Sequence, residues 1–194
     1  MRPQQPDLER DGVRLRLLRP RDESEWVALR SVNREWLRPW EATVPPGAAD
    51  APITFRSFVR RENAAWRARR SFPMVIEFDG RLVGRVTLGR IEWGAERGGT
   101  LGYWVSRDDA GQGIAPTAVV LMCEYAFGQG LHRIEVAIRP ENSASLSVAR
   151  KLDLREEGMR QSYLYIDGGW KDHRVFAATA NERRSGEWWT GARG

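Results

Sequence analysis

The stretch DDAGQGIAPTAVVLMCEYAF, residues 108–127, sets Gly111, Gly113 and Ala115 two residues apart, directly ahead of an apolar run long enough for a helix. Upstream, a strand ends in Trp104 and Val105; downstream, a helix is expected to begin near Pro116. Glycines accept positive φ and let a ligand approach the backbone closely. The first turn of a helix adds unpaired N–H groups and about half a positive charge. The turn Gly111-Gln112-Gly113-Ile114-Ala115 therefore reads as an anion cradle suited to phosphate. The same glycines would serve a tight strand-to-helix turn without a ligand equally well. Two other phosphate loops are excluded by spelling. A G-x-G-x-x-G fingerprint needs glycine where Pro116 stands, and a P-loop needs Gly-Lys followed by Ser or Thr.

Other residue types narrow the chemistry. His132 and His173 belong to no cluster with metal-ligand spacing, so no metal is expected. Cys123 is the single cysteine, which excludes an internal disulfide. Its neighbours Val119, Val120, Leu121 and Met122 suit a buried thiol rather than a nucleophile. The net charge of +5 arises from 31 basic and 26 acidic residues interspersed along the chain. That balance favours anionic ligands but supplies no dense basic block, so direct nucleic-acid readout is not expected.

A length of 194 residues with 41% hydrophobic content fits one domain with its own core. No window approaches the roughly 18 apolar residues of a membrane span, and MRPQQPDLER lacks a signal-peptide apolar segment. A cytoplasmic protein is expected. Residues 1–12 read as a mobile start, 13–180 as the domain and 181–194 as a tail in which Trp188 and Trp189 are unusual.

The apolar period alternates between two and about 3.6. Val13, Leu15 and Leu17 alternate with Arg14 and Arg16 as in a half-buried strand. Asp22 and Glu25 spell a capping box for a helix carrying Trp26, Leu29, Trp36 and Leu37, with a break near Asn33. Residues 41–52 are loop, and Phe55, Phe58, Val59 and Trp66 predict a second helix over 53–70. FPMVIEFDGRLVGRVTLGRI predicts two strands around Asp79-Gly80, and 100–106 a third. After the glycine turn and its helix come a strand in HRIEVAIRP, a helix starting at an Asn142 cap, and two strands around 167–169. This order makes an α/β (α+β) domain: a mixed, mostly antiparallel central sheet flanked by about four helices.

These motifs, taken together, resemble the acetyl-CoA site of the GNAT N-acetyltransferase superfamily, and more narrowly its RimJ/RimL branch of ribosomal-protein N-terminal acetyltransferases. The resemblance rests on the strand over 101–105, the G-x-G-x-A turn, NREWLRPWE at 33–41, YAFGQGLHRIE at 125–135, ENSASLSVARKL at 141–152 and EEGMRQSYLYIDGGWKDH at 156–173. It runs in register from about residue 13 to 179. Two spellings depart from the family pattern. Ala110 occupies the position usual for Gln or Arg, and Lys151-Leu152-Asp153-Leu154 replaces Lys-Leu-Gly-Phe. Neither removes a backbone amide from the cradle.

The resemblance implies that acetyl-CoA lays its pyrophosphate on the amides of Gly111, Gln112, Gly113, Ile114 and Ala115. Its pantetheine arm would pair with the strand at Trp104 and Val105. Asn142 would contact the arm and Arg150 the nucleotide phosphates. Ser145 matches the serine this branch is thought to use to protonate the departing thiolate. The tyrosine that many relatives use instead falls at Ala149. A backbone N–H near Val105 would polarise the thioester carbonyl.

The general base is less determined. Glu135 is the candidate, although relatives carry a working glutamate at the position of Ala137, and RimL-type enzymes at that of Leu164. Glu135 paired to an arginine in a purely structural role is the competing reading. Trp36, Trp40, Tyr103, Tyr165 and Asp172 are expected to line the acceptor cleft, where aromatic walls and a carboxylate suit an ammonium group.

The implied reaction is direct acetyl transfer to a primary amine in a ternary complex. The acceptor would be the N-terminal alanine or serine of a protein such as a ribosomal protein, with ribosome association following from it. Small amines and antibiotics are rival acceptors, and a non-catalytic CoA-binding or RNA-associated module is the rival class. Monomer and homodimer stay open.

Overall fold

The computed structural model describes residues 6–47 and 53–182. Eight strands form one sheet in the order β1-β2-β3-β4-β5-β6-β8-β7. They are β1 (Asp7–Arg10), β2 (Val13–Arg16), β3 (Phe72–Phe78), β4 (Arg81–Glu92), β5 (Gly98–Val105), β6 (Arg133–Ile138), β7 (Arg155–Ile166) and β8 (Gly169–Thr179). Every pairing is antiparallel except β5 with β6. The helices are α1 (Glu23–Val32), α2 (Arg34–Leu37), α3 (Phe55–Arg67), α4 (Ile114–Gly128) and α5 (Ser143–Lys151).

Three hairpins share one turn chemistry. Asp11-Gly12, Asp79-Gly80 and Asp167-Gly168 all place both central residues at positive φ, at 50° and 76°, 50° and 75°, and 46° and 79°. These are the Asp-Gly turns whose twist matches the strands they join. The first of them corrects the expected mobile start. Asp7–Arg10 is a strand paired with β2, and Arg10 reaches Glu124 on α4 at 3.1 Å. The tryptophans at 188 and 189, with most of the expected tail, lie outside the described residues.

The helices pack on both faces. One core joins α4 to Leu15, Leu17, Met74, Ile76, Val86, Leu88, Ile134 and Val136. α4 is apolar on nearly every side and correspondingly buried, Cys123 included. The opposite core gathers Leu18, Trp26, Val59, Val75 and Leu82 under α1 and α3, with Trp104 against it. Helix count exceeds the expected four because the first helix breaks at Asn33 into α1 and α2.

The anticipated capping box does not form. Asp22 turns inward to accept both the Arg19 N–H and the buried Arg16 guanidinium at 2.7 Å, and Glu25 accepts the Leu82 N–H at 2.7 Å. A buried arginine outcompetes the helix end for that carboxylate. The Asn142 cap of α5 does form, its Oδ1 accepting the Ser145 N–H at 3.0 Å.

For function, the decisive feature is the short parallel pairing. β5 and β6 are in register only at Gly98 with Arg133, Gly99 with Ile134 and Thr100 with Glu135. Beyond Thr100 they diverge, and the sheet opens between them toward the glycine turn.

Candidate acetyl-transfer site

The glycine turn occupies the mouth of this opening. Gly111 and Gly113 have φ of 84° and 81°, and a side-chain carbon built on either meets nothing within 4 Å. The turn thus faces open space with its backbone bare. α4 begins at Ile114, two residues before the expected start, and Thr117 returns both its N–H and its hydroxyl to Gly113 O at 3.2 and 3.1 Å. Pro116 has no N–H, so the Ile114 and Ala115 amides are the first-turn donors lacking an intrahelical acceptor. They lie where an anion would bind.

A buried network fixes the approach to the turn. Asn33, at the α1–α2 break, donates from Nδ2 to Leu29 O and Ser106 Oγ, both at 3.0 Å, and accepts from Arg107 N at 2.9 Å. Trp36 Nε1 donates to Val105 O at 3.2 Å. Asp109, only 7% exposed, pairs with Arg81 at 3.1 Å.

Ser106 N donates to Val83 O. Alternation along a strand therefore turns Trp104 toward β4 and aims the Tyr103 and Val105 amides at the opening. Gly84 makes this possible. A side-chain carbon there would collide with Trp104 O and lie 3.0 Å from Val105 Cα.

A cavity of about 450 Å³ lies beside the opening, on the face of the sheet that carries Arg85, Thr87 and Trp104. Five of the expected residues line it: Trp40, Tyr103, Trp104, Asn142 and Ser145. Ser145 Oγ has no hydrogen-bond partner among the described residues. Its backbone carbonyl accepts from the Tyr103 hydroxyl at 3.5 Å, and burial pushes that phenol up to about 12, so it remains a donor.

The other expected residues lie elsewhere. Trp36 contacts the end of β5 rather than the cavity. Tyr165 packs edge-on against Trp170 at 5.8 Å, and Asp172 accepts the Ser162 N–H at 2.7 Å, both toward the β7–β8 hairpin. Arg150 is exposed on the last turn of α5.

Glu135 shares the cavity's face of the sheet but not its wall. It accepts from Arg133 at 2.8 Å and Arg160 at 2.7 Å. Burial alone would raise its carboxyl, yet the two guanidinium groups outweigh this and hold it below the usual carboxylate range. This matches the structural reading of Glu135. Ala137 and Leu164, the two positions at which the resemblance led a glutamate to be expected, both line the cavity.

Sequence reasoning missed several cavity residues. Arg85 pairs with Glu62, and Arg139 reaches Glu141 and Pro39 O while lying over the Trp40 ring at 5.4 Å. Glu41 accepts from Arg30 at 2.7 Å. His173 is 3% exposed, its ring edge-on to Tyr163. Period-two alternation was the available signal: Arg85 with Thr87 on β4, and His173 with Val175 on β8, fall on one face.

The chain's residues fit coenzyme A on their own terms. Among the described residues, bare positive-φ glycines, first-turn amides without an acceptor and a strand edge without a partner stand at the mouth of the opening, a match for a diphosphate with an amide-bearing arm. Bound there, acetyl-CoA supplies an activated acyl carbonyl. Among the described residues no group of three His, Cys, Asp or Glu could hold a metal ion, and no helix is long and apolar enough to cross a membrane.

Comparison with known proteins agrees with this geometry. Residues 13–155 match the acetyltransferase (GNAT) domain family. Mycobacterium smegmatis RimJ in complex with CoA-disulfide superposes with a TM-score of 0.82 at 36% identity, covering 92% of this chain and 88% of that one. The probable N-acetyltransferase YjcK of Bacillus subtilis (strain 168) is 37% identical over 107 residues, 55% of this chain and 59% of that protein, so the match spans less than two thirds of that relative. The ribosomal protein uS5-alanine N-acetyltransferase of Escherichia coli (strain K12) is 25% identical over 178 residues, 89% of this chain and 90% of that one. The chain belongs to the GNAT family and is an acetyl-CoA-dependent N-acetyltransferase.

Proposed function

We propose that the acceptor is the α-amino group of a protein N-terminus, alanine or serine, on a ribosomal protein. The observation that carries this reading is the cavity itself. It is open, about 450 Å³, walled by Trp40 and Trp104, and lined at the sheet opening by Ser145. Such a cleft admits the first residues of a peptide, with aromatic faces to receive its ammonium group. Similarity over 89% of this chain to a uS5-alanine N-acetyltransferase supports the same acceptor class. This acceptor implies work in the cytoplasm, in contact with ribosomal proteins.

Within the ternary complex the chain's groups divide the work. Gly111 through Ala115 hold the diphosphate, and Arg150 stands ready for the nucleotide end. Asn142 and the edge of β5 align the arm. The Val105 N–H orients toward the opening, where it can polarise the carbonyl. Ser145 Oγ, unpaired among the described residues, passes a proton to the departing thiolate.

The test is thiol release from acetyl-CoA with alanine- and serine-starting peptides, spermidine and an aminoglycoside, in the wild type and in Ser145→Ala. Faster release with a peptide, lost in Ser145→Ala while coenzyme A binding persists, is the expected result. Turnover with only spermidine or the aminoglycoside would replace the peptide reading. Tight coenzyme A binding with no release for any acceptor would sink it.

A further inference from the structure

Four titratable side chains other than arginine line the cavity: Glu41, Tyr103, Tyr163 and His173. An amine that arrives as its ammonium, which ordinarily titrates at roughly pH 8, needs one of them to accept a proton. Three are unsuited. Glu41 is committed to Arg30 at 2.7 and 2.8 Å. Tyr103 is a buried phenol and a donor. The Tyr163 hydroxyl accepts from Arg90 at 2.8 Å and Arg160 at 3.2 Å, so its lone pairs are occupied.

His173 differs from all three. Its Nδ1 lies 3.0 Å from Lys171 O, an acceptor, which fixes the proton on Nδ1 and leaves the lone pair on Nε2. Nε2 has no hydrogen-bond partner among the described residues. A ring nitrogen on a side chain 97% withdrawn from solvent, unpaired and on a cavity wall, calls for a ligand.

Register puts it at the reacting end. Ile138 pairs with Arg174, so His173 stands opposite Arg139, and Arg139 lies as far beyond Glu135 as Trp104 lies beyond Thr100. The imidazole therefore lies on the cavity's face of the sheet, one strand beyond β6 and at the level of Trp104. Tyr163, edge-on at 5.6 Å and 79°, fixes the ring plane.

We infer that His173 is the proton acceptor for the incoming amine, acting through Nε2. The ammonium gives one proton to Nε2 and becomes the nucleophile. The N–C bond forms as the C–S bond breaks, the second amine proton ends on the thiol by way of Ser145, and His173 returns its proton to water.

The charged groups around the ring are Arg139 beyond β6, Glu141 in the following turn, the adjacent Asp172, Lys171 two residues back on β8 and Arg160, which stands opposite His173 on β7 and is held by the Tyr163 hydroxyl; Tyr163 itself covers the ring from β7. Burial comes first in setting its titration and lowers it below 6.5, with Arg139 acting in the same direction and Lys171 O, Asp172 and Glu141 opposing. The imidazole is thus neutral and able to accept at pH 7.

The experiment is the pH profile of kcat/KM with an alanine-starting hexapeptide for wild type, His173→Gln and His173→Asn, with coenzyme A affinity measured by calorimetry on each. The acid limb of the wild type is expected below pH 6.5. In either variant it should move to about pH 8, the amine's own titration, with a fall of at least about 100-fold at pH 7 that shrinks at pH 9. Coenzyme A affinity should stay within threefold. A variant that keeps both the wild-type limb and its rate at pH 7 overturns the assignment.

Nitrogen-15 NMR of the unsubstituted protein tests the tautomer without any acceptor, and remains decisive even if both variants misfold. A lone pair on Nε2 supports the assignment; a proton there overturns it. Should the wild type acetylate spermidine but no peptide, the peptide reading fails while the limb and the tautomer still decide the role of His173.

Discussion

Trp36 Nε1 donates to the Val105 carbonyl at 3.2 Å, tying α2 to the strand end where β5 parts from β6. In the proposed ternary complex Val105 borders the arm of coenzyme A, so an indole remote from the cavity would control how firmly that edge is presented. Replacing Trp36 by Phe keeps the ring and removes the donor, at a cost of about 1 kcal/mol. If that cost falls on the edge, coenzyme A affinity drops about fivefold by calorimetry, with a similar loss in kcat/KM. Unchanged affinity beside a lowered Tm would make Trp36 a purely structural prop.

Two glycines near the opening should fail in different ways. At Gly113 a methyl group meets open space, but φ of 81° strains any L-residue by roughly 1–2 kcal/mol, and the methyl would intrude on the diphosphate in the proposed complex. Gly113→Ala is therefore expected to fold, with a small loss of Tm and a weakening of coenzyme A binding beyond tenfold. Gly84 has an ordinary φ but no room, because Trp104 O and Val105 Cα stand against it. Gly84→Ala should push β5 outward and lower Tm far more than Gly113→Ala. Equal Tm losses for the two, measured by calorimetric melting, would contradict this division.

Sequence reached the parts of this protein that depend on local chemistry. The glycine turn, the Asn142 cap and the Asp79-Gly80 hairpin are each written in neighbouring residues. Asp11-Gly12 is equally legible, and reading residues 1–12 as a mobile start passes over it. The Asp22 box failed because Arg16, buried six residues away, claims the carboxylate. No local rule ranks a capping bond against a buried ion pair. The acceptor side was the least legible. His173, Arg85, Glu41 and Tyr163 come from four separate segments, and only the sheet order β4-β5-β6-β8-β7, with the Ala42 bridge to Ile166 drawing the loop of Glu41 against β7, brings them around one cavity.

Glu135 offers a pH test of structural against catalytic duty. Its folded carboxyl titrates below its ordinary value of 4.5, so its ion pairs stabilise the protein above that pH. The contribution is lost as pH falls through the lower folded value. Glu135→Gln should thus be less stable than wild type by about 1–3 kcal/mol in urea melts at pH 7. The gap should close progressively below pH 4.5. Meanwhile kcat/KM at pH 7 should stay within about threefold, because the carboxylate is held by Arg133 and Arg160 and does not reach the cavity. A loss of 100-fold or more in an equally stable variant would restore Glu135 as the base.

Asn142 carries two duties that a pair of substitutions can separate. Its Oδ1 caps α5 through the Ser145 N–H at 3.0 Å, and the same side chain lines the cavity. Serine caps a helix about as well as asparagine, whereas alanine costs roughly 1 kcal/mol. Serine is too short, however, to extend an amide along the cofactor arm. Asn142→Ser should hold Tm within about one degree yet weaken coenzyme A binding several-fold, while Asn142→Ala should lose both. If Asn142→Ser binds coenzyme A as tightly as wild type, the asparagine is a cap alone. The arm would then be aligned by the β5 edge and Tyr103, whose hydroxyl is already directed at the α5 backbone.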